Sequence, residues 1–500
     1  MIKKTKIVAT ISDKNCAPEF LKQLHEAGMD VVRLNTAHQT HEDALKVIEN
    51  VRKVSEKIAI LVDTKGPEIR TCSMEAPLKM SYGDVVHIKG MSSGQSQDLA
   101  SQQSQNLSCQ QSKESSSRQS QDSALQHETV YVSYSEFVRD VPVGSAILID
   151  DGSIALTVTD KNKDILVCRV DNNGLIDGKK SVNIPSVHVT LPALSEKDKG
   201  FIEFAADHDI DFIAHSFVRN KDDVIAVQDI LDRKQSRAKI IAKIENSEGV
   251  ENLDEILEHV YGIMIARGDL AVEIPAEKIP LVQKRIVRTC IEKRKPVIVA
   301  TQMLHSMIKS PRPTRAEVSD VANACFDFVD ALMLSGETAN GAYPLESVKM
   351  MSKIAAEVES GRQSFLDVPY VHKNKVVAYL AKAAVKASMR LNTRAIIADS
   401  ISGDTIRAIA AYRGDNPVYA QIYDKRVVRE LALSYGVQAD YVDIENSASE
   451  LLRKSIAGLV RKKQFSPDSL VTVLAGHFGG QHGASYIEIS TAESIMEGRC

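Results

Sequence analysis

Residues 239–269 read KIIAKIENSEGVENLDEILEHVYGIMIARGD. Two short apolar runs, Ile240–Glu245 and Gly262–Gly268, end at charged residues, and an amphipathic stretch long enough for a helix lies between them. A strand that is apolar at nearly every position is buried on both faces, as in parallel sheets covered by helices. Six more runs follow the pattern: Lys6–Ile11, Asp30–Asn35, Ala59–Lys65, Phe212–Ser216, Val297–Met303 and Ala331–Glu337. Helical patterns such as APEFLKQLHEAG (17–28) and EDALKVIENVRKVSEK (42–57) separate neighbouring runs. Eight strand–helix units predict a closed (β/α)8 TIM barrel, a fold whose sites form at the carboxyl ends of the strands.

About 150 residues separate the third run from the fourth, far more than one helix needs. Within them MSYGDVVHIKG (80–90), SAILIDDGSIALTV (145–158) and DILVCRVDNNG (164–174) alternate apolar and polar residues between turn signals. This predicts an inserted small β-barrel over 71–170, with the main barrel formed by 1–70 and 171–362. The insertion contains a Ser/Gln-rich segment, about 92–128, with almost no large apolar residues. Such a segment cannot bury enough surface to offset its ordering entropy, so a disordered loop is expected. From 363 to 500 the runs AIIADS, PVYAQIY, ADYVDIE, LVTVLAG and YIEIS predict a separate open-sheet α/β domain.

The 500 residues suit about three domains. With 43% apolar and 26% charged residues and a net charge of −4, the chain has the composition of a globular protein. It offers neither the basic balance nor the basic run that a nucleic-acid or anionic-membrane partner would favour. Seven scattered cysteines without a CxxC read as free thiols of a reducing compartment. No apolar run approaches a signal-peptide core or a membrane span, so a cytoplasmic protein is expected.

The predicted strand ends collect Arg33 and Asn35, Asp63 and Lys65, Ser216, Lys243 and Glu245, Arg267 and Asp269, Thr301 and Gln302, and Ser335 and Glu337. Strand ends turn polar where they meet water, but that accounts poorly for a pattern of polar residues at seven of eight ends that mixes Arg, Lys and paired carboxylates. Lys243 and Glu245, two apart on one strand, point the same way. Glu245 and Asp269, from adjacent strand ends and without His or Cys, suit a hard cation such as Mg²⁺ or Mn²⁺ that keeps positions open for substrate. The neighbouring Lys and Arg suit an anionic, phosphorylated substrate. A purely structural ion network is the competing reading.

The chain resembles the pyruvate kinase family over nearly its whole length. The resemblance is carried by RLNTAH (33–38), DTKGPEIR (63–70), KKSVNIP (179–185), LPALSEKD (191–198), KIENSEGV (243–250), ARGDLAVEIP (266–275), ATQML (300–304), PRPTRAEVSDVANA (311–324) and LSGETANGAYP (334–344), in family order and spacing. It implies a (β/α)8 barrel with a mobile lid and a C-terminal α/β domain, a homotetramer, and phosphoryl transfer from phosphoenolpyruvate to ADP. It implies Glu245 and Asp269 as Mg²⁺ ligands, Arg33 and Lys243 on the phosphoryl group, and the amides of Gly268 and Asp269 on the substrate carboxylate. Thr301 then lies beside the carbon that is protonated, with Arg70, Lys180 and His38 toward the nucleotide. For K⁺ it implies Asn35, Asp63 and Thr64. Ala37 stands where the family commonly has Ser, and ISDKN (11–15) departs from the family's loop after the first strand. In the C-terminal domain Ser400, Ser402, Gly403 and Thr405 resemble the loop for an effector's phosphate, with a sugar phosphate or AMP as ligand. An ordinary helix cap is the competing reading there. The second effector loop, AGHFGGQHGAS (475–485), carries His477 and His482 in place of Arg. Two functional alternatives remain open: a Mg²⁺-dependent barrel lyase acting on pyruvate or oxaloacetate, and a degenerate paralogue kept for its effector domain.

Overall fold

The computed structural model describes residues 3–74, 76–91, 128–185, 187–362, 365–369, 374–443, 448–476 and 484–498. The predicted disordered loop, except Glu128, and the second effector loop from His477 to Gly483 lie outside them. The chain begins with β1 (Lys6–Thr10), β2 (Val31–Asn35) and β3 (Ala59–Asp63). The insertion then contributes β4 (Leu78–Met80), β5 (Val85–Gly90), β6 (Thr129–Val132), β7 (Ala146–Ile149), β8 (Ile154–Lys161), β9 (Leu166–Val170), β10 (Gly174–Ile176) and β11 (Val182–Asn183). The first sheet resumes with β12 (Phe212–His215), β13 (Lys239–Ile244), β14 (Gly262–Ala266), β15 (Val297–Ala300) and β16 (Ala331–Leu334).

The eight strands β1–β3 and β12–β16 close into one parallel barrel, β16 returning to β1 with Lys6 opposite Ala331. Alternation along each strand sends Val8, Val31, Leu61, Phe212 and Met264 into the barrel's inner core, and Ile7, Val32, Ile60, Ile213 and Ile263 outward against the helices. The strands are shorter than the apolar runs, because the charged residues at their ends begin other structure. Arg267 opens the helix Arg267–Glu273, and Gly336 opens Gly336–Ala339. Thr301 and Gln302 have φ of 69° and 53°, where no strand can continue.

The insertion is a separate sheet domain. Its strands form a six-stranded sheet, β11-β7-β8-β9-β5-β6, and a two-stranded ribbon, β10-β4, and among the described residues these do not close into the expected barrel. Because β10 pairs with β4 and β11 with β7, the unit extends to Asn183, past the expected boundary at 170.

The third domain holds β17 (Ile396–Ser400), β18 (Val418–Ile422), β19 (Val437–Tyr441), β20 (Leu470–Gly476) and β21 (Ala484–Thr491), in the order β19-β18-β17-β20-β21. All pair in parallel except β21. It docks on the amino-terminal end of the barrel, opposite the rim: the Lys6 ammonium donates to the Val437 carbonyl at 2.7 Å. Among the described residues no helix is long and apolar enough to cross a membrane.

Candidate active site

Arg33 on β2, Asp63 on β3 and Lys243 on β13 are buried and meet at the rim with two residues just past strand ends, Ser216 and Glu245. Arg33 Nε donates to Asp63 Oδ2 at 2.6 Å and its Nη1 to Thr10 Oγ1 at 3.0 Å. Lys243 Nζ lies 3.1 Å from Asp63 Oδ1 and 3.0 Å from Glu245 Oε1. It also donates to Ser216 Oγ at 2.7 Å, and that hydroxyl donates to the Thr64 carbonyl at 2.6 Å. The other Glu245 oxygen accepts the Phe217 N–H at 2.7 Å.

Burial alone would raise the Asp63 carboxyl, yet Arg33 and Lys243 hold it below the usual range. Burial also opposes charge on Lys243, but Asp63 and Glu245 together outweigh it and fix the ammonium. Glu245 goes the other way. Burial, with Asp269 beside it, pushes its carboxyl up to about 7 against the pull of Lys243. Burial likewise raises Asp269; Lys243 lowers it, while the charges of Asp151 and Glu68 raise it. Glu245 and Asp269 are within hydrogen-bonding reach of each other. A buried and a half-buried carboxyl that face each other and resist ionising together fit a divalent cation. Among the described residues no group of three or more His, Cys, Asp or Glu is arranged for a metal. A cation held here would have to take the rest of its shell from substrate and water.

On the other side of Asp269, the Gly268 N–H donates to Thr301 Oγ1 at 2.8 Å. A β-branched residue with φ 69° is a strained conformation of the kind concentrated at functional sites. Arg267 is spent on Asp320, at 2.7 Å from both oxygens, and on the Thr301 carbonyl at 3.0 Å.

The remaining expected residues make contacts elsewhere. Arg70 donates to Glu68 at 2.8 Å and to the Lys179 carbonyl at 2.5 Å. Lys180 pairs with Asp150 at 3.1 Å, inside the inserted domain and not at its junction with the barrel. His38 is exposed in the turn after β2. Asn35 Oδ1 accepts the Ala37 N–H at 3.2 Å, and Thr64 Oγ1 accepts the Ser216 N–H at 3.1 Å. At the loop after β17, Ser400 Oγ accepts the Gly403 N–H at 2.9 Å, and Ser402 Oγ bonds the Asp404 N–H and carboxylate at 3.3 and 2.9 Å. Asp404 pairs in turn with Arg407 at 2.6 Å, and Thr405 is buried. The loop's own hydroxyls thus take the donors a phosphate would use.

A cleft of about 120 Å³ runs between rim and insertion, bounded by Glu68, Asp151, Asn183, Phe217, Arg219 and Asp269. Across it Asn183 donates to Glu273 at 3.1 Å. Phe217, Arg219, Asp151 and Asn183 escaped the sequence reading. The only signals were the polar HSFVR segment after a strand and the DDG turn at 150–152.

A closed (β/α)8 barrel with two fixed cations beside a carboxylate pair at its carboxyl rim defines an enzyme of the barrel class that handles an anionic substrate. The family model described as pyruvate kinase, barrel domain, matches residues 2–108 and 95–348, and that described as pyruvate kinase, alpha/beta domain, matches 378–489. A pyruvate kinase of Borreliella burgdorferi is 46% identical over 503 residues, covering 99% of both chains. One from Geobacillus stearothermophilus is 40% identical over 97% of this chain and 79% of its own. The crystal structure of a pyruvate kinase from Cryptosporidium parvum superposes with a TM-score of 0.85 at 34% identity, covering 98% of this chain and 96% of that one. The chain belongs to the pyruvate kinase family, phosphotransferases that move the phosphoryl group of phosphoenolpyruvate onto ADP.

Proposed function

We propose that the rim cluster carries out this transfer with Arg33 and Lys243 on the moving phosphoryl group. The observation that carries the reading is the position of Lys243, whose ammonium touches both Asp63 and Glu245 while Arg33 grips the same Asp63. Phosphoryl transfer asks mainly for positioning and for charge neutralisation. Lys243 is held charged and oriented by three partners, so it meets the negative charge that grows as the bridge to the enolate breaks. Glu245 and Asp269 would hold Mg²⁺ or Mn²⁺, which supplies neutralisation of phosphate charge. K⁺ would take oxygens from Asn35, Asp63 and Thr64, with water in place of the hydroxyl missing at Ala37.

The amide of Asp269, and that of Gly268 once it leaves Thr301 Oγ1, would receive the substrate carboxylate at the start of Arg267–Glu273. Thr301 Oγ1, already bonded to Gly268, lies beside the carbon that takes the proton. The inserted domain acts as a lid that excludes water from the cleft and directs Arg70 and Lys180 toward the nucleotide, which His38 would meet from the barrel side. A sugar phosphate or AMP at Ser400–Thr405 would first have to displace Asp404. A cytoplasmic homotetramer is the assembly this reading expects.

The test measures pyruvate formed from phosphoenolpyruvate with and without ADP, Mg²⁺ and K⁺. Pyruvate formation that needs ADP and Mg²⁺ and rises with K⁺ is the expected result. Pyruvate released at the same rate without ADP would overturn transfer to a nucleotide.

A further inference from the structure

The chain enters the inserted domain just after Lys65 and returns to the barrel through Val187–Leu191. Both crossings are gripped from the barrel. Asp198 Oδ1 accepts the Lys65 N–H at 2.8 Å and the Gly66 N–H at 3.4 Å. On the return, Arg219 donates from Nη1 to the Val189 carbonyl at 3.2 Å and from Nη2 to the Leu191 carbonyl at 2.9 Å. Thr190, between them, turns its backbone toward Tyr134 and Asp140 of the inserted domain. Successive residues therefore face opposite bodies, gripped from the barrel on either side of Thr190, which is the arrangement of a pivot. The guanidinium itself is fixed, with Nε and Nη2 donating to the Asp223 carboxylate at 3.0 and 2.9 Å.

The segment that carries Arg219 also builds the rim. Ser216 Oγ accepts from Lys243, and the Phe217 N–H holds Glu245. Phe217 has φ 55°, so the segment is a tight, defined turn with little slack. We infer that Arg219 is a positioning residue for the transfer reaction: it sets the return hinge of the inserted domain relative to Lys243 and Glu245 and so fixes where the closed lid seats. The inference rests on the lid reading above. An arginine is suited to this because its planar fork makes four hydrogen bonds at once, to two carbonyls and both oxygens of a carboxylate, while a lysine has three donors.

The test compares the full-length parent with Arg219→Met and Arg219→Lys. The kcat and the KM for ADP and for phosphoenolpyruvate are measured, together with compaction in small-angle scattering when phosphoenolpyruvate, ADP and Mg²⁺ are added. Exchange of the pyruvate methyl protons with solvent reports on the barrel half of the site. The expected result is a kcat at least about tenfold lower in Arg219→Met, reduced compaction, methyl exchange close to parent, and intermediate behaviour in Arg219→Lys. If transfer, exchange and melting temperature fall together in both variants, Arg219 is merely structural. A rise confined to the KM for ADP with compaction intact makes it a nucleotide contact and overturns the pivot. A variant that compacts and turns over like the parent removes the inference alone. A parent that does not compact removes the lid reading, and the inference with it.

Discussion

Lys243 sits among three oxygen partners, two of them carboxylates that keep it charged even though it is buried. A charge held so firmly before substrate arrives needs little reorganisation when the transition state forms, which is where electrostatic catalysis gains most. Lys243→Met should therefore lower kcat by at least ~10²-fold and change the KM for phosphoenolpyruvate only a few-fold. Steady-state kinetics decide it; a variant that mainly raises KM would reduce Lys243 to a binding group. His215, one residue before Ser216, is a different case. Its ring is fully buried, neither nitrogen has a partner among the described residues, and burial pushes its pKa from 6.5 down to about 4 although Asp223 and Asp198 pull upward. Between pH 6.5 and 4 the unfolded chain takes up a proton here that the folded chain refuses, so stability falls as the pH falls through that window. The full effect is on the order of 3 kcal/mol. His215→Leu removes it, so its melting temperature should gain on the parent's as pH drops from 7 to 5. A constant difference between the two proteins across that range would mean that His215 does not titrate this way.

The turns beyond the strands decide what the rim can do, and they were only partly legible. Arg33, Asp63, Lys243 and Glu245 could be read because each interrupts or ends an apolar run, and a period-two strand has no packing use for a charge there. The shortening of β14 to Ala266 and β15 to Ala300 could not, because Arg267 leaves the strand by opening a helix and Thr301 by a positive φ, and neither residue type announces that geometry. Asp198 and Arg219 were missed because they bond main-chain atoms of remote segments, and no spacing in a sequence marks which carbonyl a guanidinium will find. Gly66 shows how tightly two of these turns interlock. Its φ is +75°, and a Cβ there would lie 2.8 Å from both the Phe217 ring and Ser216 Cβ. Gly66→Ala should cost ~1–3 kcal/mol through backbone strain and overpacking. Because it pushes on the turn whose Ser216 and Phe217 hold Lys243 and Glu245, kcat should fall as well. Melting temperature and kcat measured together test this, and a variant with both at parental values would show that the turns give way freely.

At the scale of the molecule, the barrel has two working ends. The carboxyl rim faces the insertion, and the amino-terminal end is bonded to the C-terminal domain through buried carboxylates that precede strands. Asp211, before β12, accepts the Ile60 N–H at 2.8 Å and pairs with Arg429 at 2.5 Å. Asp330, before β16, accepts the Val297 and Tyr435 N–H groups at 3.1 and 3.0 Å and receives both Nη atoms of Arg413 at 2.8 and 2.7 Å. Arg413 is 2% exposed and Asp330 4%, so water does little to screen the pair. A buried pair contributes little compared with an apolar replacement of both residues, but removing one partner strands the other charge. Arg413→Met should lower stability by ~3–5 kcal/mol, with Arg413→Lys between it and the parent because one ammonium cannot meet both oxygens as the fork does. The loss should appear as a lower melting temperature and as earlier proteolytic release of the C-terminal domain. The rim lies at the far end of strands whose cores are fully buried, and a close-packed barrel yields little along its length. At temperatures well below melting, both variants should therefore keep kcat and the KM for phosphoenolpyruvate within about twofold of parent, the near-parental result expected of a purely structural site. A large fall in kcat while the melting temperature holds would mean that the Asp330–Arg413 pair communicates with the rim and does not simply fasten two domains together.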